Sequence, residues 1–577
     1  MNSVQDEADP RLSRTFYQDW REKLDACIDP LGVFVPLVHA QFAWLIHPQE
    51  LAEHALAASS DISAVGFHAL KRVLGAESED PIIPQPDDSR FADPAWTEQA
   101  SWDIVKEWYL LFTRRIQDML YQTPGLSGNE RRRAAFWWRK YLNAVAPTNY
   151  FWTNPLAMRR AVESHGQSVQ AGLRNFLDDV IAGDIRMTNP DDFKVGENLA
   201  ITPGVVVARD QLLEVIRYTP SQAKLHAQPL VIITPWINKF YVLDLNPKKS
   251  MVRYLLEQGF DVYITSWKNP DQSMRDVAFE DYVTEGVDFA ISTARALSKT
   301  DQVSAAGYCI GGTALSIYMA WAARHYPVDK PPVACWTVFT TLVDFAEPGD
   351  IEIFIDEGSV RYLTDSMNRK GVLDGKEMAI AFRLLRSNSL IWHFYVHGYL
   401  YGEKPSAFDV LFWNMDTTRM PARMHSWYLK ELYLHNRLIK KDALMIGGLP
   451  IDLELIEQPL YAVGAEDDHI APWRQTFRLV NFVRGPKRYV LSSSGHILGI
   501  VNPVVNPPKR RFRADQAYRT DTAEKWLSRV DWNEGSWWED WVAWLRPQSG
   551  ELQSAPTPEQ MGSCKLGAAP GCYVLEA

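Results

Sequence analysis

The sequence predicts an α/β fold: a parallel, doubly wound sheet behind a mainly helical N-terminal region. Three observations carry this. From about residue 200, short continuous apolar runs alternate with helical stretches. The alternation breaks near residue 341 and resumes near 459, which marks an insertion. Residues 1–200 instead hold long stretches with apolar residues at helical spacing.

The elements follow in order. "WDIVKEWYLLFTRRIQDML" (102–120) and "MRRAVESHGQSVQAGLRNFLDDV" (158–180) read as amphipathic helices. "NERRRAAFWWRKYL" (129–142) is basic and aromatic, and reads as a packed helix or as a face for a hydrophobic surface. "PLVIITPW" (229–236) is a strand covered on both faces. "NPKKSMVRYLLEQG" (246–259) is a helix ending at glycine, and "FDVYITSW" (260–267) a second strand. The helix 279–299, the strand "QVSAAG" (302–307), the helix 311–326 and the strand 332–340 continue the pattern. Residues 341–450 are rich in aromatics and read as the insertion. The strands "PLYAVGAEDD" (459–468) and "RYVLSSS" (488–494) resume the sheet, and "GSWWEDWVAWL" (535–545) is a late helix sealing the core. The stretch 548–577, rich in Gly, Pro, Ala and Ser, reads as a loosely held end.

Bulk properties narrow the class. The chain has 577 residues, enough for two to four structural units, and 46% hydrophobic residues, enough for a large core. A formal charge of −11 argues against nucleic acid as a partner. The five cysteines are irregularly spaced and fit neither a zinc pattern nor a disulfide framework. No apolar run is long enough to cross a bilayer, and "MNSVQDEADPRL" is too acidic for a signal peptide. The expectation is a reduced, cytoplasmic protein without a metal.

Chemistry enters at "AAGYCIGGTAL" (305–315). It reads as strand, tight turn and helix start, with Cys309 at the tip between Gly307 and Gly311. Many enzymes place serine there as G-x-S-x-G, on a strained turn that exposes the nucleophile above the sheet. No G-x-S-x-G occurs in this chain. The partners follow in the order nucleophile, acid, histidine: "GAEDDHIAPW" (464–473) puts an acid at a strand end and "SSSGHILG" (492–499) puts His496 after the last strand. Spacing does not separate Asp467 from Asp468. The oxyanion donors expected are the backbone N–H groups of Ile310 and of Ile237, in "TPWINKF" (234–240). Together these features define an α/β-hydrolase fold with an inserted cap (about 341–450) in a catalytic domain 201–577, behind a helical domain 1–200.

The segments "GYCIGGT", "PWINKFYVLDLNPKKSMVRYLLEQG", "SWKNPDQSM", "TTLVDFAEPGDIEIFIDE", "FDVLFWNMD", "EDDHIAPW" and "SSGHILGIVNP" resemble the polyhydroxyalkanoate synthases, from about residue 95 to 545 and again at "PGCYVLEA". The form "GYCIGGT" and the length resemble class I, which uses short-chain 3-hydroxyacyl-CoA. The resemblance implies that Cys309 is the nucleophile carrying the acyl chain, Asp468 the catalytic aspartate and His496 the general base. It places Asp244 and His469 in the active-site surroundings. It implies (R)-3-hydroxyacyl-CoA as substrate, CoA as a released product rather than a cofactor, a homodimer, and a cytoplasmic enzyme at the surface of its own polymer granules, beside granule-associated proteins.

Cysteine suits that substrate. Acyl transfer from one sulfur to another is nearly energy-neutral, so the chain stays activated for the next attack. "PPKRRFR" (507–513) reads as a solvated basic turn, with contact to CoA phosphates as the alternative. Cys335 reads as a packing residue, and Cys564 and Cys572 as non-catalytic.

Overall fold

The computed structural model describes residues 29–84, 88–557, 559–561 and 566–577. The acidic N-terminal stretch, Cys27 and Cys564 lie outside the described residues. The chain forms two compact units. The first holds residues up to Asn189 together with Asp356–Tyr362 and Ile380–Ala407; the second holds the remainder.

The first unit is helical: α1 (Val35–Ile46), α2 (Pro48–Val73), α3 (Ala100–Tyr121), α4 (Gly128–Ala144), α5 (Pro155–Glu163) and α6 (Gln167–Ala182). A capping box between Ser127 and Glu130 starts α4, whose Ala134, Ala135 and Phe136 are buried, as a packed helix requires. The single helix expected over 158–180 is two. His165 and Gly166 both take positive φ, +52° and +82°, and turn the chain between α5 and α6. Two parts of the aromatic 341–450 stretch belong to this unit. A side chain at Gly172 of α6 would collide with the Tyr399 carbonyl, and Asn175 Nδ2 donates to the carbonyls of Gly398 (2.9 Å) and Glu403 (3.0 Å).

The second unit is built on ten strands: β1 (Gly204–Arg209), β2 (Leu213–Tyr218), β3 (Leu230–Ile233), β4 (Val262–Trp267), β5 (Val303–Tyr308), β6 (Val333–Phe339), β7 (Leu460–Ala465), β8 (Lys487–Ser492), β9 (Arg511–Gln516) and β10 (Asn533–Glu534). The order is β1-β2-β4-β3-β5-β6-β7-β8-β9-β10. The six strands read from sequence, β3 to β8, are all parallel. The sheet as a whole is mixed, because β1, β2, β9 and β10 flank that core in antiparallel pairing. Helices α7 (Met251–Glu257), α8 (Asp288–Ser298), α9 (Ile310–His325) and α10 (Trp537–Leu545) belong to the same unit. Trp537, Trp538 and Trp541 of α10 are fully buried in the main core.

The described residues after Pro547 are not loose. Leu552–Ser554 pairs antiparallel with Lys224–His226. The N–H of Val206 donates to Gly567 O (3.0 Å), that of Ala569 donates to Gly204 O (2.9 Å), and Val574 is buried in the core. The segment's Gly-, Pro- and Ala-rich composition reads as coil, yet backbone pairing needs no apolar side chains.

Candidate active site

Cys309 stands between the end of β5 and the start of α9, with φ +53° and ψ −124°. A side-chain-bearing residue enters this region only when its surroundings enforce it. Here the Cys309 N–H donates to Phe339 O (2.9 Å), and its carbonyl accepts from the N–H of Gly312 (2.9 Å) and Thr313 (3.1 Å). The glycines are required by close approach. A Cβ on Gly307 would lie 2.5 Å from Gly312 Cα, and one on Gly311 would lie 2.5 Å from Ile233 O. Gly312, not singled out in the sequence, has the same constraint against Thr341 Oγ1. The three-glycine run "GYCIGG" carried that signal.

Parallel register brings the other two groups to the same edge of the sheet. Ala465 pairs with Ser492, so the segments after β7 and β8 leave side by side. The Nδ1–H of His496 donates to Asp468 Oδ2 at 2.7 Å. Asp468 Oδ1 accepts from the N–H groups of Ile470 and Ala471, both at 2.9 Å. Asp467 is exposed and Asp468 buried, which separates the pair that spacing left open. Burial opposes a charge on the His496 ring, but Asp468 and Cys309 outweigh it and hold the imidazolium well above the ordinary histidine range.

Several supporting residues gave no sequence motif. The Tyr308 hydroxyl donates to His496 O (3.2 Å), and the two rings stack with centroids 5.7 Å apart. The indoles of Trp537 and Trp538 donate to Gly499 O (2.8 Å) and Ile500 O (3.0 Å), which fixes the chain just beyond His496. Buried Tyr428 and half-buried Tyr433 pack ring to ring at 5.2 Å. Burial raises both phenols, and Cys309 is among the charges that raise them further. The thiol itself is only half-buried.

The remaining expected residues fall as follows. Ile310 is the first residue of α9, where an N–H has no intrahelical partner. Ile237 lies in the loop after β3, and the register Ile233–Gly307 sets that loop beside the Cys309 turn. Asp244 is buried away from these bonds, accepting from Thr202 Oγ1 and Ser250 Oγ, both at 2.6 Å. His469 follows Asp468 directly, and its carbonyl accepts from Asp350 N–H (3.3 Å). Cys335 is buried, and its thiol is pushed up to about 11 by that burial.

Two features elsewhere resemble sites. His68, Asp80 and Asp103 of the first unit converge, but Lys106 Nζ already bridges Asp80 (2.7 Å) and Asp103 (3.1 Å), and Arg72 pairs with Asp103 at 2.7 Å. A cavity of about 150 Å³ in that unit, lined by His393, His397, Arg186 and Glu403 among others, contains none of Cys309, Asp468 and His496.

A cysteine on a strained strand-to-helix turn, a histidine–aspartate pair after the last parallel strands and this sheet order define an α/β-hydrolase-fold enzyme. The general α/β-hydrolase family profile matches residues 229–503. A second profile, described as the N-terminus of poly-beta-hydroxybutyrate polymerase (PhaC), matches residues 87–255. The chain is 37% identical over 535 residues to a poly(3-hydroxyalkanoate) polymerase of Methylorubrum extorquens, covering 92% of this chain and 88% of that one. It is 37% identical over 495 residues to the poly(3-hydroxyalkanoate) polymerase subunit PhaC of Cupriavidus necator, covering 84% and 83%. The chain belongs to the poly(3-hydroxyalkanoate) polymerase family. It is an acyltransferase that polymerises 3-hydroxyalkanoyl-CoA into polyhydroxyalkanoate. Among the described residues no helix is long and apolar enough to cross a membrane.

Proposed function

We propose that the chain is a class I enzyme taking short-chain (R)-3-hydroxyacyl-CoA, 3-hydroxybutyryl-CoA first, through an acyl thioester on Cys309. The observation that carries this reading is Cys309 at φ +53° on the turn, at the same edge of the sheet as a histidine that Asp468 holds at 2.7 Å. His496 takes the thiol proton as Cys309 attacks the thioester carbonyl; a ring whose protonated form is favoured is a competent acceptor. The N–H groups of Ile310 and Ile237 stabilise the tetrahedral oxyanion. CoA leaves with the proton returned from His496. The 3-hydroxyl of a second substrate or chain end then attacks the acyl-Cys309, its proton passing to His496; the C–Sγ bond breaks, the Cys309 thiolate leaves and takes that proton back, and the polyester gains one unit.

Asp468 acts on His496 in this scheme, since one of its oxygens is spent on the Ile470 and Ala471 N–H groups and the other on the ring. Asp244 and His469 belong to the surroundings. The packed Tyr428–Tyr433 pair of the insertion supports a cap that excludes water, which would otherwise hydrolyse the thioester. Work in the cytoplasm as a homodimer at the granule surface, beside granule-associated proteins, completes the reading. The apolar side chains that the first unit exposes on α1 and α6, such as Phe42, Ile46, Leu173 and Leu177, support the granule contact.

The test mixes protein with (R)-3-hydroxybutyryl-CoA and follows CoA thiol release beside turbidity, with Cys309→Ala as control. Release with growing turbidity, absent in the variant, is expected. Release with only free 3-hydroxybutyrate would make the protein a thioesterase and overturn the reading.

A further inference from the structure

We propose that the last residues, Val574–Ala577, brace the loop that carries Ile237 and so set the position of one oxyanion donor. This deepens the reading above and rests on the role given there to Ile237.

The orientation of the Ile237 N–H is fixed through its own peptide plane. That N–H and the Trp236 carbonyl share one trans peptide and point in opposite directions. The Thr418 hydroxyl donates to the Trp236 carbonyl, and also to Ile237 O at 2.9 Å. Asn238 makes an antiparallel bridge to Thr417. Thr417 and Thr418 therefore hold the loop from one side and aim the N–H away from themselves. The loop's own side chains add little. Trp236 Nε1 and Asn238 Nδ2 are buried without a protein hydrogen-bond partner.

The C-terminal residues touch each part of this clasp. Lys239, two residues past Ile237, donates to Glu576 O at 2.9 Å and pairs with Asp416 at 2.7 Å. Arg419, next to Thr418, donates to Ala577 O at 2.9 Å, while its N–H donates to Asn269 Oδ1 at 2.9 Å. The Asn269 N–H in turn donates to Glu576 Oε2 at 3.2 Å. Val574 is 1% exposed and packs where Pro235, Trp236, Lys239 and Thr418 meet. Upstream the segment is anchored, because buried Glu214 accepts from the N–H groups of Cys572 (3.0 Å) and Tyr573 (3.1 Å). The segment thus ties Lys239 and Arg419, on the two sides of the clasp, to one backbone.

Two reactions of Cys309 separate positioning from general damage. Acylation by 3-hydroxybutyryl-CoA builds an oxyanion and needs its donors. Alkylation by iodoacetamide occurs at a saturated carbon and builds none. Both rates are to be measured, by quenched-flow CoA release and by loss of free thiol, for the wild type, truncation after Tyr573, Lys239→Met and Lys239→Arg. The expectation is that truncation and Lys239→Met slow acylation about tenfold or more, with KM unchanged and alkylation within about twofold. Lys239→Arg, which still donates, should recover most of the rate. Should truncation prevent folding, Lys239→Met decides alone. Equal losses in both reactions for Lys239→Met, or no loss of acylation, would overturn the brace. CoA release surviving in Cys309→Ala would instead overturn the underlying assignment of the nucleophile.

Discussion

His496 and Asp468 form the tightest polar contact of the site: Nδ1–H donates to Oδ2 at 2.7 Å, and both side chains are buried. The carboxylate cannot turn away, because Ile470 and Ala471 hold its other oxygen. The bond fixes the tautomer that leaves Nε2 for the thiol.

Asp468→Asn should therefore lower polymerisation by about 10² to 10⁴, because an amide no longer enforces the tautomer or steadies the imidazolium. Asp467→Asn, at an exposed side chain, should stay within about twofold. CoA release by the two purified variants checks this, and equal losses would contradict the pairing.

His496 should also leave a mark on stability. Its folded value stands well above the unfolded value of about 6.5, so its protonated form stabilises the fold. That contribution is complete below about pH 6.5 and fades as pH rises through the folded value. The difference in urea unfolding free energy between wild type and His496→Gln should shrink as pH increases from about 6. A difference that grows would mean the ring is held neutral.

His425 carries the opposite sign. It is fully buried, its Nδ1 has no partner, and burial depresses it to about 4. The unfolded chain takes up a proton near about 6.5 while the folded one does not, so stability is complete above that pH and lost toward 4. His425→Leu should flatten this acid loss. At neutral pH it should change unfolding free energy by no more than about 1 kcal/mol, since an orphaned polar atom is removed. Denaturant titrations at several pH values read both.

The turn around Cys309 tolerates no added carbon. Gly311→Ala pushes a methyl against the backbone oxygens of Ile233 and Thr234, which cannot swing aside, and should cost about 3 kcal/mol. Gly398→Ala has nothing within 4 Å and should be neutral or slightly stabilising. Urea midpoints of the two variants make the comparison.

The parallel core was legible because each of its strands is an apolar run closed by a turn or a helix. Cys309, Asp468 and His496 were legible because a parallel sheet delivers every strand end to one edge. What stayed hidden depends on three-dimensional neighbours. Asp467 and Asp468 differ only in which faces the His496 ring. The flanking strands β1, β2, β9 and β10 carry mixed polar and apolar residues and pair through backbone. Residues 356–362 and 380–407 read as part of one insertion, but pack with helices more than 170 residues earlier, a contact spacing cannot show. The terminal segment has a coil-like composition and is held by Glu214, Lys239 and Arg419 from distant stretches.

The most direct test of the central claim is mass spectrometry of the protein acid-quenched after the first turnovers with 3-hydroxybutyryl-CoA. The expected result is one or more hydroxybutyryl units on the peptide containing Cys309, released by hydroxylamine and missing in Cys309→Ala. Acyl groups on any other residue, or undiminished CoA release in that variant, would contradict a chain grown on Cys309.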